Sequence, residues 1–155
     1  MTKPLRVYLD TSVYGGCQDA AFSEDSLRVI EAVSQDKLIA LTSEVVIREL
    51  LQAPQAVKES RSKLPEHSVE EVPLTDEVFA LANAYLEAGI LGPRQGDDAI
   101  HVAAATVARA DAIVSWNFRH IVRLDKIKAY NQINLLNGYG ILTIVTPKEV
   151  QTDAE

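Results

Sequence analysis

Short apolar runs alternate with segments of helical spacing along this chain, and that alternation constrains the fold more than any other feature. Apolar runs of strand length occupy residues 5–9, 38–41, 112–115 and 141–145, and residues 69–72 are predicted as a further short strand. Between them, apolar residues recur at helical spacing, as at Leu27, Ile30 and Val33. Strands that alternate with helices form parallel sheets with right-handed crossovers. We therefore predict an α/β fold, a three-layer α/β/α sandwich with a central, mainly parallel sheet of about five strands.

The helices are predicted from the same spacing and from residues that start or stop a helix. They cover residues 23–35, 44–52, 54–63, 76–88, 99–109 and 124–136, and a short one starts at Pro147. The segment 99–109 is apolar and Ala-rich on nearly all sides, which is typical of a helix buried against a sheet. Asp10, Thr11 and Ser12 are expected to form a turn after the first strand.

Length and composition predict one ordinary domain. The chain has 155 residues, a common size for a single domain, and we assign residues 1–150 to it and residues 151–155 to a short tail. No apolar run approaches the roughly 18 residues that cross a bilayer, and the N-terminus leads into a strand without a cleavable leader. Cys17 is the single cysteine, which excludes an intramolecular disulfide, and we interpret it as a small buried residue. Together these features predict a cytoplasmic protein without a membrane segment.

The charge of the chain argues against non-specific binding of nucleic acid. The formal net charge is −7, whereas such binding usually needs a basic surface. One cluster of basic residues nevertheless lies close together in the sequence, with His120 among them and only Asp125 opposing. Its cationic members are Arg119, Arg123, Lys126 and Lys128. They are candidates for contact with a nucleic acid, and a solvated helix face would explain the same cluster.

Five polar residues are expected at one edge of the sheet. Asp10 follows the first predicted strand, Glu49 lies about two turns into the helix after the second, and Asn117 follows the fourth. Asp97 and Asp98 open the buried helix that precedes that fourth strand. Ligands of open α/β sheets bind beyond the carboxyl ends of the strands. Each residue alone is also explained as a turn, cap or solvent-exposed residue, so the prediction rests on their common placement.

A cluster of carboxylates favours a hard divalent cation. Carboxylates in one place repel each other, and a fold retains them mainly when a cation compensates. Oxygen ligands without His or Cys partners suit Mg²⁺ or Mn²⁺ rather than zinc. One or two such ions can activate water for an in-line displacement at phosphorus. We therefore predict a metal site formed by Asp10, Glu49 and Asp98.

The sequence resembles the PIN-domain family, in particular its VapC-like toxin group, over nearly the whole chain. The segments that carry the resemblance are residues 7–12, 43–50, 98–105 and 113–121. The resemblance assigns the three acids of the family to Asp10, Glu49 and Asp98, and its fourth polar position to Asn117. It implies metal-dependent hydrolysis of RNA phosphodiester bonds, usually by a dimer, and an antitoxin protein encoded next to the toxin. The basic cluster then becomes a set of candidates for RNA contact.

Four further residues are candidate accessory residues of this site. Asp97 is a candidate for supplying the charge that an Asn at the fourth position lacks. Thr11 or Ser12 is suited to orient a carboxylate or a water from the turn after the first strand. His120 stands where relatives often carry an acid, and it is a candidate for contact with the scissile phosphate or a base. In contrast, His101 is interpreted as a hydrogen-bonded core histidine and Trp116 as a lid on the core.

Other functions fit the sequence less well. An aspartyl phosphatase needs a second Asp two residues after its nucleophile, and Ser12 stands there. The acid pair and the late Lys of a phosphate-accepting receiver find no place in this pattern, and there is no Gly-rich phosphate loop. The alternative that remains is a catalytically weak or inactive PIN domain acting as a protein- or RNA-binding module. Asn117 favours that alternative, and the three acids oppose it.

Overall fold

A computed structural model describes residues 3–152 of the chain. The first two residues, where we expect no leader, and the last three residues of the predicted tail lie outside this range. In chain order its elements are β1 Leu5–Leu9, α1 Thr11–Gly16, α2 Ser23–Ser34, β2 Leu38–Thr42, α3 Glu44–Leu51, α4 Gln55–Ser62, β3 Val69–Glu71, α5 Asp76–Glu87, α6 Gly96–Val107, β4 Ala112–Val114, α7 Leu124–Leu136 and β5 Ile144–Val145. Short 3₁₀ turns occupy Glu66–Ser68, Pro93–Gln95 and Pro147–Glu149.

The strands form one wholly parallel sheet. Their order across the sheet is β3, β2, β1, β4, β5, and each neighbouring pair is parallel. Val7 of the central strand is in register with Ala40 of β2 and Ala112 of β4. All of β4 and the last three residues of β1 are buried, as expected for strands that helices cover on both faces. The predicted sandwich with a parallel sheet of about five strands is confirmed.

Helices cover the two faces of the sheet in two groups. Helix α1 contacts α2, α3 and α4, whereas α5 contacts α6 and α7. Right-handed crossovers that progress in opposite directions along a sheet place their helices on opposite faces. The chain moves outward from β1 to β3 and then returns to β4 and β5, so α1 to α4 lie on one face and α5 to α7 on the other.

Helix α6 is the most deeply buried helix of the fold. Ala99, Val102, Ala103, Ala104 and Ala105 are all fully buried, and their small side chains allow close packing against α5 and β4. The helix begins at Gly96, three residues earlier than predicted. Because the helix starts earlier, Asp97 and Asp98 both lie within its first turn.

Helix α1 is absent from the sequence-based prediction, which gave a turn directly after β1. Thr, Val, Tyr and Gly are weak helix formers, and they make up most of this segment. The helix forms because the Asp10 side chain caps it through the Ser12 amide and because Val13 and Tyr14 are fully buried. Tertiary packing therefore outweighs local propensity here.

The last strand is shorter than predicted. The sequence favoured residues 141–145, but β5 comprises only two residues, and Ile141 is 72% exposed. Leu142 does not take part in a strand because both its backbone N–H and its carbonyl bind the Asn131 side chain of α7, at 2.7 and 3.1 Å. The Asn131 side chain thus takes the hydrogen bonds that Leu142 would otherwise form with a neighbouring strand.

The order of the strands creates a crevice beside β1. The chain leaves β1 towards β2 and β3 on one side, and β4 and β5 lie on the other. In open α/β sheets such a reversal point, at the carboxyl ends of the strands, is where ligands bind. Among residues 3–152 no helix has both the length and the apolar character required to cross a membrane.

Candidate active site

Asp10 ties the ends of the two central strands together. It follows β1 and is 3% exposed. Its Oδ1 accepts hydrogen bonds from the Ser12 hydroxyl at 2.5 Å and the Ser12 amide at 3.1 Å, and its Oδ2 accepts the Ser115 hydroxyl at 2.6 Å. The two hydroxyls accept backbone N–H groups of Trp116 and Asn117 in turn. The carboxylate is therefore held in one orientation at the reversal point between β1 and β4.

Glu49 reaches the same edge from α3. Its side chain is 32% exposed. Its Oε1 accepts two hydrogen bonds, from the Thr11 hydroxyl and from His101 Nε2, each at 2.7 Å. Its Oε2 accepts no hydrogen bond from residues 3–152. One oxygen of this carboxylate is thus fully engaged by the protein, and the other is available.

A chain of buried hydrogen bonds continues behind Glu49. His101 is 2% exposed, and its Nδ1 lies 2.8 Å from the Tyr8 hydroxyl. The Tyr8 hydroxyl also lies 2.8 Å from the Ser43 hydroxyl. His101 is therefore the buried, hydrogen-bonded histidine that the sequence predicted. Its partner, however, is one of the candidate metal ligands.

Asp98 lies in the first turn of α6 and is half-buried. Its Oδ1 accepts the Asn117 side-chain amide at 3.2 Å. The Asn117 oxygen accepts the backbone N–H groups of Arg119 and His120, at 3.2 and 2.9 Å. The structure thus places Asn117 beside Asp98 as a donor, while its oxygen holds the turn after β4.

Burial and mutual repulsion govern the protonation of the three acids. Burial raises the pKa of Asp10 and of Asp98 above the ordinary value. The charge of His101 offsets part of this at both acids, together with hydrogen bonds from Ser115 and Ser12 at Asp10 and the charge of His120 at Asp98. Burial also raises the pKa of Glu49, but the hydrogen bonds from His101 and Thr11 and the imidazole charge outweigh it, so this pKa is lowered. Burial lowers the pKa of His101, but the hydrogen bond to Glu49 and the surrounding carboxylates outweigh burial. The pKa of His101 is therefore raised above its ordinary value. The edge therefore concentrates negative charge that the protein compensates incompletely.

Asp97 is held apart from these acids. Its Oδ1 forms an ion pair with Arg48 at 2.5 Å, and both side chains are largely exposed, at 45% and 58%. The charge of Asp97 is thereby partly offset by a neighbouring cation on α3. The structure brings Asp10, Glu49, Asp98 and Asn117 to one edge, with Asp97 at its rim.

His120 and the basic cluster extend from the same edge towards α7. The charge of His120 acts on Asp98, whose pKa it lowers. Arg123 pairs with Asp125 at 2.9 Å, and Lys126 donates to the backbone carbonyl of Ile90. The remaining two cations of the cluster are exposed, and their side chains form neither hydrogen bonds nor ion pairs within residues 3–152; they are Arg119 and Lys128.

Trp116 and Cys17 serve packing, as predicted. Trp116 is 7% exposed, stacks on Phe22 with ring centroids 4.3 Å apart, and donates from Nε1 to the Ser26 hydroxyl at 2.8 Å. Gly16 of α1 permits this arrangement because a Cβ there would lie 2.6 Å from Trp116 Nε1. Cys17 is 6% exposed.

Three residues that support the site were missed as site residues. Tyr8, Ser115 and His101 contact the carboxylates or their partners, and periodicity offered a signal for two of them. Tyr8 stands two residues before Asp10, on the same face of an extended strand, and His101 stands three residues after Asp98, on the same face of a helix. Ser115 had no such signal, because its role depends on the pairing of β4 with β1.

The donor set fits Mg²⁺ or Mn²⁺ in chemistry. Within residues 3–152 no three His, Cys, Asp or Glu side chains form a ready-made metal-binding group. Mg²⁺ usually keeps several waters and binds through only one or two carboxylates, so direct ligation by all three acids is not required. Glu49 Oε2 and Asp98 Oδ2 accept no hydrogen bond from the described residues. These oxygens are the ones that would face an ion or its waters.

Comparison with known proteins identifies the fold. No family model and no curated protein match the chain. Among solved structures, the chain is similar to one described as VapBC2 from Rickettsia felis bound to a DNA fragment from their promoter. The TM-score is 0.54, the sequence identity is 14%, and the match covers 92% of this chain and 98% of that chain. At this identity the likeness shows the fold alone, and it confirms that the sandwich is PIN-like.

Proposed function

We propose that the protein is a metal-dependent endoribonuclease and the toxin of a type II toxin–antitoxin pair. The observation that carries the proposal is the gathering of Asp10, Glu49 and Asp98 at the reversal point of the sheet. Within residues 3–152 none of the three forms an ion pair with Lys or Arg. Buried carboxylates without such partners are retained where a cation or a reaction needs them.

Mg²⁺ or Mn²⁺, held by Asp10, Glu49 and Asp98, would supply Lewis acidity and make water a nucleophile near neutral pH. The residues of the chain bind and orient. Ser12 and Ser115 donate their hydroxyl protons to Asp10 and accept the backbone N–H groups of Trp116 and Asn117, so their role is to hold the carboxylate in place. The nucleophile of the proposed reaction is water, which would attack phosphorus directly.

Thr11 and Asn117 orient the other two acids. Thr11 donates to Glu49, and Asn117 donates to Asp98. Hydrogen bonds of this kind fix the direction of carboxylate lone pairs before an ion binds. We propose Asn117 as a site residue on this basis. Its side-chain oxygen is engaged by backbone N–H groups, so its contribution comes through its amide nitrogen.

The substrate and partners follow from the same proposal. Arg119 and Lys128 are exposed on the segment that leaves the site, and they are the strongest candidates for RNA phosphate contact; Arg123 and Lys126 first have to release their present partners. One solved structure with this fold is described as VapBC2 from Rickettsia felis bound to a DNA fragment from their promoter. By analogy we propose a cognate antitoxin, a homodimer and a cytoplasmic location for this protein.

Asp97 and His120 are proposed only as accessory residues. Participation of Asp97 requires release of the Arg48 ion pair. Substitution Asp97→Asn decides its role, because unchanged Mn²⁺ affinity would dismiss it. His120 lies near enough to Asp98 to influence the pKa of that acid. If His120→Ala binds RNA more weakly and keeps its Mn²⁺ affinity, His120 contacts the RNA and not the ion.

A second candidate function is an inactive PIN domain that binds protein or RNA. Two observations favour it: the fourth polar position is a neutral Asn117, and the described acids do not converge on a ready-made metal group. A binding module of this kind would have no requirement for a divalent ion.

Cleavage of a mixed RNA pool separates the two candidates. The purified protein is incubated with Mn²⁺, with Mg²⁺ and with chelator, alongside Asp10→Asn and the control Asp111→Asn at the opposite edge of the sheet. We expect metal-dependent cleavage by the wild type and the control, and none by Asp10→Asn. Absence of cleavage by folded, partner-free protein in every condition would contradict the nuclease and favour the binding module.

A further inference from the structure

A buried imidazole lies directly behind one of the candidate metal ligands. His101 contacts Glu49 through Nε2 and Tyr8 through Nδ1, at 2.7 and 2.8 Å, and it is 2% exposed. Within residues 3–152 its ring has no other hydrogen-bond partner. A buried polar ring is costly unless both nitrogens are satisfied, so these two contacts determine where the ring can lie.

The chemistry of the partners fixes the direction of the hydrogen bond to Glu49 and, for the neutral ring, that of the hydrogen bond to Tyr8. An ionised carboxylate only accepts hydrogen bonds, so Nε2 carries the proton that is donated to Glu49. In the neutral ring Nδ1 then accepts, and the Tyr8 hydroxyl donates to it. The Tyr8 oxygen remains free to accept the Ser43 hydroxyl, 2.8 Å away. The chain Ser43–Tyr8–His101–Glu49 is thus complete, with one donor and one acceptor at each step.

We propose that His101 is a positioning residue of the candidate site: it anchors Glu49 Oε1 and leaves Oε2 available for the shared ion, while Tyr8 holds the ring in place. The inference rests on the proposed function, since it assigns a role towards the same ion. It adds two residues, His101 and Tyr8, that touch neither substrate nor ion and act through Glu49.

The placement of these residues supports the proposal. His101 is carried by the helix that carries Asp98, and Tyr8 by the strand that ends at Asp10. A shift of the imidazole would therefore displace Glu49 directly and disturb the two elements that carry the other acids. Any acceptor would satisfy the Nε2 proton of a histidine that is buried only for packing. Here the carboxylate accepts the ring proton through the oxygen that Thr11 also binds.

Mn²⁺ affinity, measured by calorimetry, tests the proposal without relying on activity. His101→Leu removes the donor, and we expect the affinity to fall by about 10- to 100-fold, the usual effect of losing a partner of a metal ligand. His101→Gln is the rescue variant, because its amide nitrogen reaches a position similar to Nε2 and can still donate. It should stay within about threefold of the wild type.

Tyr8→Phe tests the second link. Phe fills nearly the same volume, and the ring of His101 loses only the group that holds Nδ1. We expect a smaller fall in Mn²⁺ affinity than for His101→Leu, and in chelator a change in the nitrogen chemical shifts of the imidazole. If His101→Leu fails to fold, Tyr8→Phe and His101→Gln decide the question.

A double-mutant cycle with Glu49→Gln separates positioning from general support of the core. If His101 acts through Glu49, His101→Leu adds little further loss of Mn²⁺ affinity once Glu49 is Gln. A purely structural role would produce the full additional loss in that background. Additive losses, or wild-type affinity in both His101→Leu and Tyr8→Phe, would overturn the proposal.

Failure of the proposed function gives a different result. A wild type that neither binds Mn²⁺ nor cleaves RNA would overturn the metal-dependent nuclease and this inference with it. A wild type that binds Mn²⁺ and cleaves, with the two variants unchanged, would overturn only the role of His101.

Discussion

The acidic residues at the two edges of the sheet differ in the partners that offset their charge. Towards the amino edge, the Arg6 guanidinium of β1 binds both oxygens of Glu70 from the outer strand β3, at 2.9 and 2.6 Å, and the Arg6 amide donates to Asp111 at 2.7 Å. The same guanidinium donates to the carbonyls of Ala108 and Arg109, just after α6, where a cation also suits the helix dipole. Both acids therefore have a hydrogen-bond partner on Arg6.

At the carboxyl edge the acids have weaker compensation. Asp10, Glu49 and Asp98 accept hydrogen bonds from hydroxyl, amide and imidazole groups, and no Lys or Arg within residues 3–152 pairs with them. The pKa of Asp10 and of Asp98 is raised by burial, whereas the pKa of Glu70 is lowered by Arg6. The contacts of Arg6 stabilise the fold, whereas the acids of the carboxyl edge carry negative charge that a bound cation would offset.

The largest effect should come from Asp98→Asn in RNA cleavage. The substitution keeps the shape of the side chain and its acceptor for Asn117 but removes a charge from the proposed metal site. We expect the cleavage rate to fall by at least about 100-fold, the scale of a lost electrostatic stabiliser in catalysis. Asp111→Asn, the same change at the amino edge, should leave the rate unchanged. Equal activity of both variants would remove the distinction between the edges.

In chelator the same substitution should stabilise the fold. Burial of Asp98 disfavours its ionised form and raises its pKa, so the neutral amide avoids a cost of roughly 1 kcal/mol, an ordinary size for one substitution. Thermal unfolding at pH 7 should occur about 2 to 4 °C higher than in the wild type.

The sign of that effect fixes its dependence on pH. Because the pKa of Asp98 is higher in the folded state than its ordinary value of 3.8, the cost is present at neutral pH. It disappears as the pH falls below that ordinary value, where the carboxyl group is protonated in both states. The difference in unfolding temperature between Asp98→Asn and the wild type should therefore shrink on acidification. A difference that grows would contradict the assigned cause.

The smallest effect on stability is expected for Glu70→Gln in the pair with Arg6, and its sign is opposite to that of Asp98→Asn. Its partner Arg6 lowers the pKa of Glu70, so the pair contributes stability above the ordinary value of 4.5 and loses it at lower pH. Both side chains are partly exposed, which limits the loss to a few tenths of a kcal/mol. Denaturant unfolding at pH 7 and pH 3.5 measures it, and stabilisation at pH 7 would refute the comparison.

Much of the fold was predictable because local pattern and tertiary structure agree. The apolar runs located the strands along the chain. The carboxyl ends of parallel strands necessarily share one edge of the sheet. This brought Asp10, Glu49 and Asp98 together without any knowledge of the packing. Helix α1 was missed because a short segment of weak helix formers is stabilised only by its cap and its buried face.

The support of the site was less accessible from the sequence. The contact between Tyr8 and His101 joins residues 93 positions apart, and it depends on how α6 lies across β1. The resemblance assigned Asn117 to the fourth polar position, but the sequence did not show that the turn after β4 uses its side-chain oxygen for two backbone N–H groups. Asp97 was grouped with Asp98, and the exposed rim instead pairs it with Arg48. Such partners are selected by three-dimensional proximity, which spacing alone does not determine.

Thermal unfolding during a Mn²⁺ titration tests the central claim most directly, with wild type, Asp98→Asn and Asp111→Asn compared from chelator upward. A carboxyl edge that binds the ion should stabilise the wild type and Asp111→Asn by about 2.7 kcal/mol at one hundred times the dissociation constant, or roughly 5 to 10 °C. Asp98→Asn should begin higher and rise little. No shift in the wild type, or the same shift in Asp98→Asn, would contradict the account of this edge as a cation site.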